Sequence, residues 1–401
     1  MFRKYALSIL ITLALPVAVQ AGGGGVPSEA VAPVLGSNGA SAVVLAESAG
    51  GFIYGYQMDG LVIGGEGPLN QLPGYEALTG GFKGWPDLDG NGITDLVVVS
   101  DTGFLVGYLL EADGSGFTVF QTAAIPATLP AGNTVLGWPD LNGDGNSDLV
   151  FQDDSTGATT AVLMDGLNIS SSGALPGLPA AGGYRTIGFP DLNGDGRADV
   201  VIQATSGFSY AYLTDINGID TLEAGRIPGP PNASYRTAGF PDLNGDGAAD
   251  IVIQGAGGFA FAYLMAADGL LVGTQGPVST IPGYNLIGFP QLGGPVDGGD
   301  DLVLQSTSGF TIGILMNGGV STQPAVGMPS LLTSNDFSVL GFPNLDGDDQ
   351  ADLVWQHSGG FTYGYVLDGT SAESQNPLPA RPAGYDNLTW ATKAVPPLLQ
   401  Q

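Results

Sequence analysis

One segment recurs along this chain and limits what it can fold into. Gly188-Phe189-Pro190-Asp191-Leu192-Asn193-Gly194-Asp195-Gly196, leading into Ala198-Asp199-Val200-Val201-Ile202-Gln203, returns almost unchanged from Gly239, and close copies begin at Gly84, Gly137, Gly288 and Gly341. A second element, an alternating run such as Gly207-Phe208-Ser209-Tyr210-Ala211-Tyr212-Leu213, starts at Gly51, Gly103, Gly157, Gly207, Gly258, Gly309 and Gly360, a mean period of about 51.5 residues. A third element precedes each loop, as in Gly183-Tyr184-Arg185-Thr186-Ile187, with counterparts at Tyr75, Asn133, Tyr235, Tyr284, Phe337 and Tyr385. Units of this size bury a core only by stacking on their neighbours, so one repeat array is expected rather than a set of unrelated domains.

Each element reads as a strand. Alternation at Phe208, Tyr210 and Tyr212 puts aromatics on one face and small residues on the other, and the place of Ala211 is always Gly or Ala (Gly55, Gly107, Ala161, Ala262, Gly313, Gly364). By its repetition the aromatic stripe reads as core. Val200-Val201-Ile202 and its equivalents are continuous β-branched runs, as expected for strands buried on both faces. A weaker fourth strand, such as Thr221 to Ile227, completes the unit. Four strands per unit without helices is the pattern of a propeller blade. The first aromatic strand at Gly51 lacks a leading strand and loop, and the last leading strand, around Tyr385, lacks a loop after it. The expected fold is therefore all-β: a seven-bladed β-propeller of four-stranded antiparallel blades over residues 34–395, the ring closed by N- and C-terminal strands that share one blade.

Outside the repeats, residues 1–21 read as a cleaved signal peptide, with Arg3 and Lys4 before an apolar run and Val19-Gln20-Ala21 at its end. Residues 22–33 read as a Gly-rich linker and 396–401 as a tail. Export to periplasm, cell surface or medium is expected, with no transmembrane anchor because the apolar run is shorter than a span needs. The chain carries 9 Lys+Arg against 38 Asp+Glu, a formal net charge of -29, which excludes a reader of nucleic-acid phosphates. With no cysteine and one histidine, it has no disulfide, thiolate nucleophile or zinc site of the Cys/His kind.

The acidic residues are concentrated in the recurring loop. Asp191, Asn193, Asp195 and Asp199 stand at positions 1, 3, 5 and 9, with Gly196 at position 6 for a tight turn. Hard oxygen ligands at alternate positions suit Ca²⁺. The same set recurs as Asp87, Asp89, Asn91 and Asp95; as Asp140, Asn142, Asp144 and Asp148; and as Asp242, Asn244, Asp246 and Asp250, so four strong calcium sites are expected. The sixth loop offers Asn344, Asp346, Asp348 and Asp352 but has Asp349 in place of the glycine, which predicts a weaker fifth site. The fifth loop, Gln291-Leu292-Gly293-Gly294-Pro295-Val296-Asp297 with two extra residues before Asp301, is expected to bind none. It is no EF-hand, since position 9 leads into a strand.

The acidic loop between Gly-Phe and apolar strands resembles the FG-GAP or VCBS-type repeat, over about residues 34 to 395, and the blade number resembles the propeller of integrin α-subunits. That resemblance implies a loop between the innermost and second strands with Ca²⁺ on one face of the disc. It also implies ligands on the other face, where strands two to three and four to one are joined. It does not imply an integrin partner.

Residues that break the repeat are the candidates for ligand binding. Arg185 and Arg236 occupy equivalent places in adjacent units and suit an anionic ligand. His357 lies in a two-to-three turn, and Asp153 and Asp154 replace the usual small turn residues. No nucleophile-and-base set is recognisable, so no catalytic residue is assigned. The favoured function is a secreted, noncatalytic calcium-binding module for recognition or adhesion, a monomer whose partner is an extracellular protein or glycan. The alternative is a secreted carbohydrate-active enzyme, a glycoside hydrolase or polysaccharide lyase, for which Glu47, Asp101 and Asp153 are weak carboxylate candidates.

Overall fold

The computed structural model describes residues 43–48, 51–70, 72–78, 86–112, 117–176, 183–232, 234–255, 257–293, 299–316, 318, 324–331, 336–348, 350–359, 361–378 and 385–387. The signal peptide, linker and tail expected from sequence lie outside these residues, as do Asp297 and Asp349.

Among the described residues there are strands and turns but no helix. Six antiparallel sheets are each made of four consecutive strands, giving six propeller blades. The third blade is typical: Tyr184–Gly188, Val200–Ala204, Ser209–Thr214 and Thr221–Ile227, in that order across the sheet. The first blade runs from Tyr75–Ala77 to Phe117–Thr128, and the second from Asn133–Gly137 to Asn168–Ala174. The fourth runs from Tyr235–Gly239 to Val272–Ser279, the fifth from Tyr284–Gly288 to Val326–Gly327, and the sixth from Phe337–Gly341 to Ser371–Pro377. One further sheet joins the two ends of the chain, in the order Tyr385–Asn387, Val43–Ser48, Ile53–Asp59, Val62–Asn70.

The fourth strand is the exposed one, which orients the blade. Val200–Ala204 is buried throughout, whereas Thr221–Ile227 and Ser371–Pro377 are largely exposed, so fourth strands form the rim and first strands face the axis. The core lies between sheets. Val201, Ala211, Leu213 and Ile227 of the third blade pack with Phe240, Ile251, Ile253 and Met265 of the fourth. The terminal sheet packs on both sides: Ile53 and Leu69 cluster with Leu96, Val98, Tyr108 and Leu110, and Met58 clusters with Leu345, Val354, Val366 and Leu378.

Two glycine positions explain the close approach. A Cβ on Gly107 would sit 2.3 Å from Leu167 of the next blade, and one on Gly364 would sit 2.7 Å from Leu61 of the terminal sheet. Small residues in the third strand therefore admit a side chain from the neighbour, as the alternation predicts. At the end of the first strand, a Cβ on Gly188 would lie 2.8 Å from Phe240, and one on Gly239 would lie 2.5 Å from Phe289. The register slips by one residue just there, between Thr186 and Gly188 and between Thr237 and Gly239. The recurring Gly-Phe-Pro thus has a packing reason: each blade's Phe fills the space over the preceding blade's Gly, beside a bulge.

Candidate functional site

Antiparallel strands in sequence place the one-to-two and three-to-four connections at one face of the disc, and the two-to-three and four-to-one connections at the other. The acidic loops lie between first and second strands, hence on the first of these faces. Within the third blade's loop, Asp191 accepts Gly194 N at 2.7 Å and Gly196 N at 2.7 Å, one on each carboxylate oxygen. Both glycines have positive φ, +70° and +81°, a conformation that suits residues without a Cβ. Asn193 donates to Asp195 at 2.8 Å, and Asp195 accepts Arg197 N at 3.0 Å and pairs with the Arg197 guanidinium. Loops 140–148 and 242–250 repeat the bonds of position 1 to the two glycines.

Position 9 plays a part that sequence reasoning missed. Asp199 is buried, and its two oxygens accept Leu192 N and Thr214 N, both at 2.9 Å, tying the loop to the end of the third strand. Asp95, Asp148, Asp250 and Asp352 make the same two bonds, and so does Asp301 in the irregular fifth loop, to Leu292 N at 2.8 Å and Met316 N at 2.7 Å. This residue is therefore a structural clamp wherever the strands turn, whatever the other positions hold. In the regular loops each oxygen keeps a lone pair for a cation, whereas Asp301 Oδ2 accepts Gly293 N at 2.9 Å as well.

The loops are also joined to one another. The carbonyl of position 1 accepts the amide of position 8 in the next loop: Ser147 N to Asp87 O, Ala198 N to Asp140 O and Ala249 N to Asp191 O at 2.6–2.7 Å, then Asp300 N to Asp242 O and Ala351 N to Gln291 O. Three-to-four turns add a second link, Gly166 N to Leu88 O and, from the terminal sheet, Gly60 N to Leu345 O, each 2.9 Å. The acidic face is thus belted by backbone hydrogen bonds that run from blade to blade.

Carboxylates gathered in this way are held in their neutral form more readily than usual. Burial, opposed by the backbone hydrogen bonds and assisted by neighbouring carboxylates, raises Asp95, Asp199 and Asp250 to about 8, Asp148 and Asp352 to about 7, and Asp87 to about 6. In the first loop, carboxylate oxygens of Asp87, Asp89 and Asp95 lie within 4.8 Å of one another, and Asn91 is turned to donate to Leu110 O at 3.1 Å. A divalent cation would relieve both the burial and the mutual repulsion, and the all-oxygen donor set fits calcium. In the sixth loop Asn344 accepts Gly347 N at 2.6 Å and Asp348 accepts Gln350 N at 2.9 Å, a related turn with fewer charges at position 1.

The opposite face differs in kind. Its described connections contribute few acids, Asp101, Asp153, Asp154 and Asp336. Phe52, Phe104, Phe208, Phe310 and Phe361, the residues after the turn glycines, are between 38% and 59% exposed. That corrects the reading of Phe208 as core: Tyr210 and Tyr212 are half-buried and meet at a tilt with ring centroids 5.4 Å apart, but Phe208 projects from the sheet end, covered on one side by Arg226 at 4.4 Å. Serine hydroxyls brace two of these turns, Ser100 receiving Phe104 N and Ser306 receiving Phe310 N, each at 3.0 Å.

The remaining candidates separate. Asp153 spends its carboxylate on Ser155 and Thr156, which hold it down at about 2, and Asp154 accepts Thr134 Oγ1 at 2.8 Å, so the two acids stabilise their own turn. His357 Nδ1 accepts Gly359 N at 2.9 Å and its ring meets Phe337 edge-on, both structural duties. Arg185 and Arg236 lie on the axial strands of adjacent blades, opposite Gln203 and Gln254, toward the acid-poor face.

Residues 87–151, 140–202 and 191–253 match the family profile of the FG-GAP-like repeat. No curated protein matches the sequence. Among solved structures the chain is similar to part of the Photorhabdus luminescens Tc holotoxin pore, at 15% identity and a TM-score of 0.46, covering 83% of this chain and 16% of that one. It is also similar to BamB from Moraxella catarrhalis, at 14% identity and a TM-score of 0.41 over 87% and 88% of the two chains. YCF48 from Cyanidioschyzon merolae matches at 11% and 0.41 over 76% and 88%. At such identities and scores these likenesses say nothing of function.

Proposed function

We propose that this chain, which carries FG-GAP-like repeats, is an exported calcium-binding propeller that acts as a noncatalytic recognition or adhesion module. The observation that carries the reading is the difference between the two faces: one gathers buried carboxylates in belted loops, the other is poor in acids and studded with exposed phenylalanines. Calcium would be held by the loops at 87–95, 140–148, 191–199 and 242–250, and more weakly at 344–352. It supplies charge that lets these carboxylates remain ionised together while folded, and so stiffens the disc at a distance from the ligand. The sheet of terminal strands is taken as a seventh blade closing the ring, supported by its packing against both the first and the sixth blades and by the bond from Gly60 to Leu345.

An enzyme reading finds little support, because Asp153 is engaged with its own turn and held too acidic to act as a general acid near neutrality. The test is an array of glycans and matrix proteins probed with the full chain in Ca²⁺ and in chelator. Binding that needs calcium and is weakened by the double variant Phe104→Ser, Phe310→Ser is the expected result. Turnover of a glycan, or binding abolished by neither treatment, would contradict it.

A further inference from the structure

Arginines are scarce here, and two of them are placed at the same register of adjacent axial strands. Arg236 Nη2 donates to Gln254 Oε1 at 2.8 Å, and that oxygen also accepts Leu286 N of the next blade at 3.0 Å, so the guanidinium is fixed across a blade boundary. Its Nη1 is buried and has no hydrogen-bond partner. Arg185, one blade earlier, is half-buried, and its side chain has neither a hydrogen bond nor an ion pair among the described residues. The same register holds Thr134 and Asn285 in the flanking blades, neither of them an acid, and the Asp154 carboxylate beside Thr134 is engaged with its hydroxyl at 2.8 Å. The one described ion pair of the chain, Arg197 with Asp195, lies on the opposite face.

A guanidinium stays charged in a protein, and burying it without a counter-charge is costly. Burial indeed lowers the pKa of both groups, with no carboxylate acting to raise it. The chain has 38 acidic residues, and none of those described forms an ion pair with either arginine. We propose that Arg185 and Arg236 form an oxyanion-binding site at the axial opening of the acid-poor face, receiving a carboxylate, sulfate or phosphate group of the ligand. The planar fork of each guanidinium matches two oxygens of such a group, and adjacent forks suit a single anion bridging two blades. The inference rests on the recognition reading and gives its ligand a charge. Because the whole chain is strongly acidic, this site selects anions by local geometry rather than by long-range attraction, and its affinity is expected to be modest.

The experiment uses the full chain, saturated with Ca²⁺, titrated calorimetrically with acetate, D-galacturonate, sulfate and inorganic phosphate at constant ionic strength in chloride. One equivalent of at least one oxyanion is expected to bind, with affinity reduced tenfold or more in the double variant Arg185→Gln, Arg236→Gln and unchanged in Arg197→Gln. Carboxylates binding without sulfate or phosphate would identify the source as an acidic sugar or peptide carboxyl; the reverse would identify a sulfated or phosphorylated ligand. Equal binding by the double variant, or no oxyanion binding at all, overturns the site. A second readout guards against a structural role: Arg236→Gln should leave the melting temperature unchanged or raise it, and a loss of several degrees assigns the guanidinium to the fold instead. Calcium-dependent capture of an uncharged glycan on the array would leave the recognition reading standing while this inference fails.

Discussion

Position 9 of the acidic loop clamps two strands, and the cation-holding role proposed for the loop is separable from that clamp by mutation. Asp301 clamps Leu292 N and Met316 N in a loop whose positions 1 and 3 are Gln291 and Gly293. Hydrogen bonds to a charged acceptor are each worth about 1.5–3 kcal/mol, so Asp301→Ala should cost about 3 kcal/mol or more in urea denaturation, by the same amount with and without calcium. Asp195→Ala removes a position-5 carboxylate with no such clamp and should lose stability mainly in the presence of calcium. The raised carboxyl groups fix a sign as well. Because the folded protein binds protons at Asp95, Asp199 and Asp250 up to about pH 8, far above their ordinary 3.8, protonation favours the folded state. The metal-free protein should therefore lose stability as pH rises from 5.5 to 8.5, read as a falling urea midpoint in EDTA, and calcium should flatten or reverse that slope. Sequence made these residues legible as a cation set because oxygen ligands alternate. It could not reveal the clamp, since the partners are backbone amides 7 and 15 residues away in the clearest copies.

At the scale of strands, alternation and repetition carried most of the blade. Thr221–Ile227 was readable as the weak outer strand, and the small residue at the place of Ala211 as the point of close approach. The aromatic stripe was misjudged at Phe208 because a period of two tells which face a side chain shares but not whether the neighbouring sheet extends that far. The contact between Gly364 and Leu61 tests how the sixth blade meets the terminal sheet. Gly364→Ala places a methyl group 2.7 Å from Leu61 Cδ2. Overpacking of this kind costs about 1–3 kcal/mol, and Leu61→Ala in the same chain should recover part of it. Additive losses in the double variant would mean that these two elements do not share the interface.

For the whole molecule, the belt of loop-to-loop hydrogen bonds makes each acidic loop part of a blade interface rather than a private feature of one blade. Stability gained at one loop is therefore shared with the next. Extracellular modules hold calcium with Kd of roughly 10⁻⁴ to 10⁻³ M. At about ten times Kd, each filled site adds ~1.4 kcal/mol to the folded state. Chelation should lower the melting temperature of the full chain by several degrees, and the loss should be spread over the ring rather than confined to a single unfolding step of one blade. The most direct measurement is calorimetric titration of the metal-free chain with Ca²⁺. Uptake of four ions with similar affinity, followed by a weaker fifth that Asp348→Asn removes, is the expected result; no uptake by a folded chain would contradict the calcium-binding propeller altogether.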